Sequence, residues 1–358
     1  MIPQGRTCEL MKPPYEEATI IRHDSFLYMP VPVSLPDGEV VCATQTEILC
    51  RSKDGGRTWG CHPTNIRATS ILLLNDGTLL GSEEAEKDGP RMGRVKMWRS
   101  ADQGHTWQPA GDISRPAGYG LVYYCYPQML QLRCGTILAP FPAMEEKATR
   151  EDLLMARADD GGFTWSKPYL VMVAGSESSF IELPSGRIVG VVRGSPLCGW
   201  PTNMTKDDYY DPGLAKKQVY RLLHPELPDY YKVTMFICSY DRGYHWSTPR
   251  PVVGTEQARE APADIERLCD GRLVITSGLK HTGKGARATL SYDEGKTWDL
   301  EHRYILGGDL PDHQGGHCCS LVLKDDVILS TFTVYPPQSD PKAKLPGSIA
   351  AVRWKPTP

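Results

Sequence analysis

The sequence predicts an all-β fold, a six-bladed β-propeller, on three observations. An octapeptide, Ser-x-Asp-x-Gly-x-Thr-Trp, recurs at Ser52–Trp59, Ser100–Trp107, Ala158–Trp165, Ser239–Trp246 and Ser291–Trp298. Regular self-similarity of this kind is the mark of a repeat architecture. Interleaved with it are six units of an apolar run, a turn and a second apolar run. Finally, 30 prolines and 34 glycines suit many turns and few helices.

The octapeptide encodes a tight hairpin turn. Its Asp carboxylate accepts backbone N–H groups across the turn, its Gly takes the left-handed backbone position, and its Trp buries a large ring between neighbouring repeats. The third copy has Ala158 for the serine and the fourth has His245 for the threonine.

The six inner turns are Pro36-Asp37-Gly38, Asn75-Asp76-Gly77, Arg133-Cys134-Gly135, Pro184-Ser185-Gly186, Cys269-Asp270-Gly271 and Lys324-Asp325-Asp326. Flanking runs such as Arg187 to Val192 and Arg272 to Ile275 read as strands. Six inner hairpins imply six four-stranded blades. The sixth blade lacks the octapeptide. Its third strand is expected at Ser348 to Trp354 and its outer strand near Ala18 to Arg22, so that the N-terminal segment closes the ring. The repeats occupy nearly the whole chain, so residues 1–358 are expected to form one domain, with an insertion at about 194–232.

The formal charge of −3 leaves no basic footprint for nucleic acid. No run of 18 apolar residues predicts a membrane span. The 11 cysteines contain no CxxC pair, and several fall in apolar strand patterns, so free buried thiols are expected. With Met1–Arg6 lacking an apolar signal core, this favours a cytoplasmic location. The adjacent Cys318-Cys319 pair has no evident convergent metal ligands, and the motifs require neither metal nor cofactor. The sequence leaves the oligomeric state open.

The octapeptide is the Asp-box, and on it the chain resembles the sialidase (neuraminidase) superfamily. In that family Asp-boxes lie on the face opposite the active site. The resemblance implies an exo-acting glycosidase. Three arginines hold the substrate carboxylate, a tyrosine attacks the anomeric carbon, a glutamate activates the tyrosine, and an aspartate is acid/base. A tyrosine nucleophile avoids placing an anion against a substrate carboxylate.

The family phrase carrying the glutamate and second arginine is matched by Glu177-Ser178-Ser179-Phe180-Ile181-Glu182-Leu183-Pro184-Ser185-Gly186, ending at Arg193. Arg287, shortly before the fifth Asp-box, fits the third arginine. At the first arginine's place stands Tyr28, with Arg67 as a nearby substitute. The loop that carries the family's aspartate is shortened to Ala43-Thr44-Gln45-Thr46-Glu47 and has no aspartate. His317 opens the last inner strand, where the nucleophilic tyrosine should be.

Topology places the openings of the inner strands, near Tyr28, Arg67, Tyr126, Glu177, Glu260 and His317, on one funnel-shaped face. The expected catalytic set is Glu177, His317 and Tyr126, because histidine titrates near neutrality and serves as a proton shuttle. Arg193, Arg287, Arg67, Glu260 and His313 are the expected binding residues, since guanidiniums hold anions through bidentate hydrogen bonds. The partner is a glycan with a terminal, acidic sugar. Two alternatives stand beside hydrolysis: β-elimination on uronate-containing glycans by a His–Tyr–Arg set, and a non-catalytic glycan-binding propeller.

Overall fold

The computed structural model describes residues 9–83, 87–88, 91–145, 151–194, 233–252, 260–279, 285–310, 314–335 and 347–357. Among these residues, six sheets form the blades, and a seventh, two-stranded sheet pairs Lys87–Asp88 with Arg91–Met92. Blade one has strands Val31–Ser34, Val40–Ala43, Ile48–Ser52 and Gly60–Pro63. The inner strands of the next five blades are Ala68–Leu73, Leu130–Gln131, Gly175–Glu182, Glu260–Arg267 and Gln314–Val322. Each blade is antiparallel, as short hairpin connections dictate. The six-bladed all-β expectation holds.

Ring closure also follows the sequence reading. Tyr15–Ile21 pairs with Ser348–Lys355 in register from Tyr15↔Lys355 to Ile21↔Ile349. The outermost strand of blade six is thus N-terminal and its other strands are C-terminal. One element was not foreseen: Glu9–Met11 adds to the edge of blade five, parallel to His302–Leu306.

The Asp-boxes bind themselves as their chemistry requires. In the second, Ser100 Oγ donates to Asp102 Oδ1 at 2.7 Å and accepts Gly104 N–H at 2.8 Å, while Thr106 donates its amide and hydroxyl to the two Asp102 oxygens. His245 replaces threonine without loss, because its Nδ1 lies 2.5 Å from Asp241 Oδ2. The glycines of all five boxes have positive φ, from 83° to 93°. A Cβ on any of them would press into the preceding blade: Leu329 at Gly56, Leu49 at Gly104, Leu80 at Gly162, Leu138 at Gly243 and Phe236 at Gly295. The boxes therefore seal one blade onto the one before it.

The apolar core is divided the same way. Six buried clusters are spread around the ring, among them Leu80 to Phe141 between blades two and three and Phe332 to Tyr304 between blades six and five. Their burial is the main stabilising term. Arginines on third strands bolt the joints, with Arg51 donating to Gln103 O at 2.9 Å and Arg157 to Arg242 O at 2.5 Å.

Candidate active site

Four inner strands break register where they open: between Ala68 and Ser70, Gly175 and Ser178, Glu260 and Ala263, and Gly315 and Cys318. A bulge bends its strand and re-aims side chains. Glu177 and His317 both lie inside such a break. Tyr126, Glu177 and His317 each stand nine residues before the last residue of their blade's turn (Gly135, Gly186 and Asp326), which puts them at one level around the axis.

At that level three blades meet. Arg193 Nη1 donates to both oxygens of Glu177, at 2.8 and 3.0 Å. Ser176 Oγ donates to Glu177 Oε2 at 2.6 Å and contacts Arg193 O at 3.3 Å. His317 Nε2 is 3.8 Å from Glu177 Oε1. The same nitrogen is 3.4 Å from the Tyr28 hydroxyl, and the two rings meet edge-on at 4.8 Å. Tyr28 is half-buried, whereas His317 is 3% exposed. The phenol is thus the more solvent-accessible of the two, with the imidazole behind it.

Protein-family models give no match to the chain, and neither do curated proteins. Solved structures do. A protein of unknown function from Dyadobacter fermentans superposes with a TM-score of 0.66 at 19% identity, over 96% of this chain and 100% of that one. The intramolecular trans-sialidase of Ruminococcus gnavus gives 0.63 at 13%, over 92% and 94%. The α-L-arabinanase of Penicillium chrysogenum gives 0.62 at 16%, over 93% and 94%. The fold is a six-bladed β-propeller of the kind these solved structures share. At these identities the likeness is one of fold, and fold alone does not fix chemistry.

Within this propeller, the predicted residues Glu177, Arg193 and His317 come together. Tyr126 joins them only as packing. Its ring lies edge-on to His317 at 5.6 Å, it is 1% exposed, and its hydroxyl has no hydrogen-bond partner among the described residues. Burial raises its pKa well above the ordinary value, keeping the phenol neutral. The expectation of a catalytic Tyr126 is corrected on that ground. The residue that sequence reasoning passed over is Tyr28, read there as a missing arginine. Its position at an inner-strand opening was the available signal.

The other expected binding residues are more dispersed. Arg287 is buried on the third strand of blade five and donates to Ala286 O at 3.3 Å. Arg67 is exposed at the opening of blade two, its amide donating to Glu83 Oε1 at 3.1 Å. Glu260 opens the inner strand of blade five opposite Leu279. His313 and, beyond Gly194, the 194–232 insertion lie outside the described residues.

A cavity of about 360 Å³ lies between blades one and two, lined by Ser25, Thr46, Glu47, Ile48, Pro63, Thr64 and Arg67. Its 43–48 loop is tied to both blade openings, because Tyr28 N–H donates to Thr44 O at 3.2 Å and Gln45 N–H to Ala68 O at 2.9 Å. The loop that walls the cavity is thus tied to the backbone of Tyr28, although the Tyr28 side chain does not line it.

Two residues further along the strands lies a polar layer of Ser70, Gln128, Ser179, Asp264 and Cys319. Asp264 is fully buried. One carboxylate oxygen accepts Ser320 N–H at 2.6 Å, and the other has no hydrogen-bond partner among the described residues. Burial raises its pKa to about 6 against donors that include Ser179.

Proposed function

We propose that the chain is a glycoside hydrolase that removes a terminal, acidic sugar from a glycan, with Tyr28 as nucleophile. The observation that carries this reading is the contact chain Tyr28–His317–Glu177–Arg193. As the Tyr28 oxygen bonds to the anomeric carbon, the glycosidic C–O bond breaks and His317 Nε2 takes the phenol proton. The imidazolium so formed faces the Glu177 carboxylate, which stabilises it. Arg193 gives Nη1 to Glu177, and its side chain is 24% exposed, so the guanidinium can also face a sugar carboxylate. Glu47, on the 43–48 loop whose Thr44 carbonyl accepts Tyr28 N–H, supplies the proton to the leaving oxygen. Water then attacks the anomeric carbon and gives a proton to the Glu47 carboxylate, while the C–O bond to Tyr28 breaks and His317 returns its proton to the phenolate oxygen.

A solved fold shared with sialidases and arabinan-degrading enzymes supports a carbohydrate substrate. The Tyr28–His317 pair also suits β-elimination, in which imidazole and phenol serve as base and acid. The test is a screen of purified protein against aryl glycosides of sialic acids, glucuronate and arabinose, and against uronate polysaccharides. Tyr28→Phe and Glu177→Gln run alongside. Release of an acidic sugar that both variants lose supports the proposal. An unsaturated, ultraviolet-absorbing product without hydrolysis replaces it with elimination.

A further inference from the structure

Three cysteines lie in one row across neighbouring strands of blade one. Cys42 pairs with Cys50, and Cys50 with Cys61. Thr64 N–H donates to Glu47 O at 2.9 Å, so Glu47 and Thr64 are a hydrogen-bonded pair. Antiparallel pairs alternate between hydrogen-bonded and non-hydrogen-bonded kinds. Three positions along, Cys50–Cys61 is the non-hydrogen-bonded kind, in which side chains approach most closely. Such pairs have Cα atoms about 4.5 Å apart, within the roughly 4.4–6.8 Å that a disulfide spans. The two Sγ atoms are 2.6 Å apart. By the same alternation Cys42–Cys50 is the wider, hydrogen-bonded kind, and Cys42 is fully buried. Cys61 is half-buried and accessible from the outer strand.

We propose that Cys50 and Cys61 form a reversible redox site, closed to a disulfide by a small disulfide oxidant such as oxidised glutathione. The Cys61 thiolate attacks the oxidant, forming a mixed disulfide and expelling one glutathione thiolate. Cys50 gives up its proton and attacks the Cys61 sulfur, expelling the second glutathione. Two protein thiols lose two electrons, and one glutathione disulfide becomes two thiols. The hydrogen bond with Cys50 lowers the pKa of Cys61, which favours it as the attacking group.

The bond encloses the first Asp-box, Ser52–Trp59, whose Gly56 lies against Leu329 of blade six. Oxidation thus clamps the hairpin that packs on the ring-closing blade. The enclosed segment, residues 51–60, includes none of Tyr28, Glu47, His317, Glu177 or Arg193, so the clamp acts first on resistance to unfolding.

The test uses the full chain treated with oxidised glutathione, alkylated, and digested with trypsin without reduction. The expected product is peptide His23–Arg51 joined to Thr58–Arg67, two hydrogens lighter than its parts and separated by dithiothreitol. The Cys42→Ser variant keeps the cross-link and Cys61→Ser loses it. Closing so short a loop raises Tm by a few degrees, and the rise is absent in Cys61→Ser. A glutathione adduct that never resolves, a Cys42–Cys50 link, or separate alkylation of Cys50 and Cys61 overturns the proposal. A cross-link without a Tm shift overturns the clamping role.

Discussion

The hydroxyl of Tyr28 stands 3.4 Å from Nε2 of His317 and joins blade one to blade six, at the joint where the ring closes. The same imidazole nitrogen faces Glu177 on blade four. One imidazole nitrogen on blade six therefore faces polar groups from blades one and four. If these groups act as a unit, their loss is not additive. Tyr28→Phe and His317→Gln are each expected to lower kcat/KM by about 10²–10⁴-fold, with the double variant little worse than either single one. Steady-state kinetics on the substrate found by the screen checks this. Multiplying effects would mean that the two residues act independently.

Glu47 gives a sharper test of the hydrolytic reading. It lines a cavity on the shortened 43–48 loop, whose Thr44 carbonyl accepts Tyr28 N–H. A general acid matters most when the leaving group is a poor one. Glu47→Gln should slow release of an unactivated saccharide by about 10²-fold or more. It should change an activated aryl glycoside little, since that aglycone leaves without a proton. Equal loss on both substrates would assign Glu47 to binding instead.

The parts of this fold legible in the sequence are those fixed by local backbone chemistry. Asp102 with Ser100, Gly104 and Thr106 closes its own turn within a few residues, so the motif alone discloses the structure. The N-terminal strand was legible because six inner hairpins and five boxes left one edge to fill. The Glu177–Arg193 pair was legible because both belong to one hairpin, 16 residues apart. The Tyr28–His317 contact spans 289 residues and exists only once the ring is closed. Tyr126 erred the other way: its station on the strand could be read, but its enclosure depends on neighbours from other blades. The parallel Glu9–Met11 strand carried no periodic signal of its length.

The Asp-box glycines should be intolerant of any side chain. At Gly104, φ is +88°, and an added Cβ would lie 3.3 Å from both Leu49 and Leu79. Gly104→Ala combines left-handed strain with overpacking, each costing about 1–3 kcal/mol. Gly77 has φ +82° but nothing within 4 Å, so Gly77→Ala bears the backbone cost alone. Urea unfolding of the two variants should show Gly104→Ala as the more damaging. Equal destabilisation would remove inter-blade packing from the account.

The box carboxylates and Asp264 should pull stability in opposite directions with pH. In Asp293, burial raises the pKa, but donors led by the Thr297 hydroxyl and amide outweigh it and hold the group at about 2. A depressed folded pKa gives stability that is present above the ordinary value of 3.8 and lost as pH falls towards 2. Asp264 is the reverse. Its folded pKa of about 6 exceeds the ordinary 3.8, so the folded state keeps a proton that the unfolded chain has released. Stability therefore falls as pH rises from about 4 to 6, by about 3 kcal/mol for a shift of this size. Asp264→Asn keeps an acceptor for Ser320 N–H and removes the ionisation. The variant is expected to match the parent near pH 4 and to exceed it by up to about 3 kcal/mol at pH 8, in denaturant unfolding at the two pH values. A variant weaker by the same amount at both would show that the Asp264 carboxylate is satisfied in the folded protein.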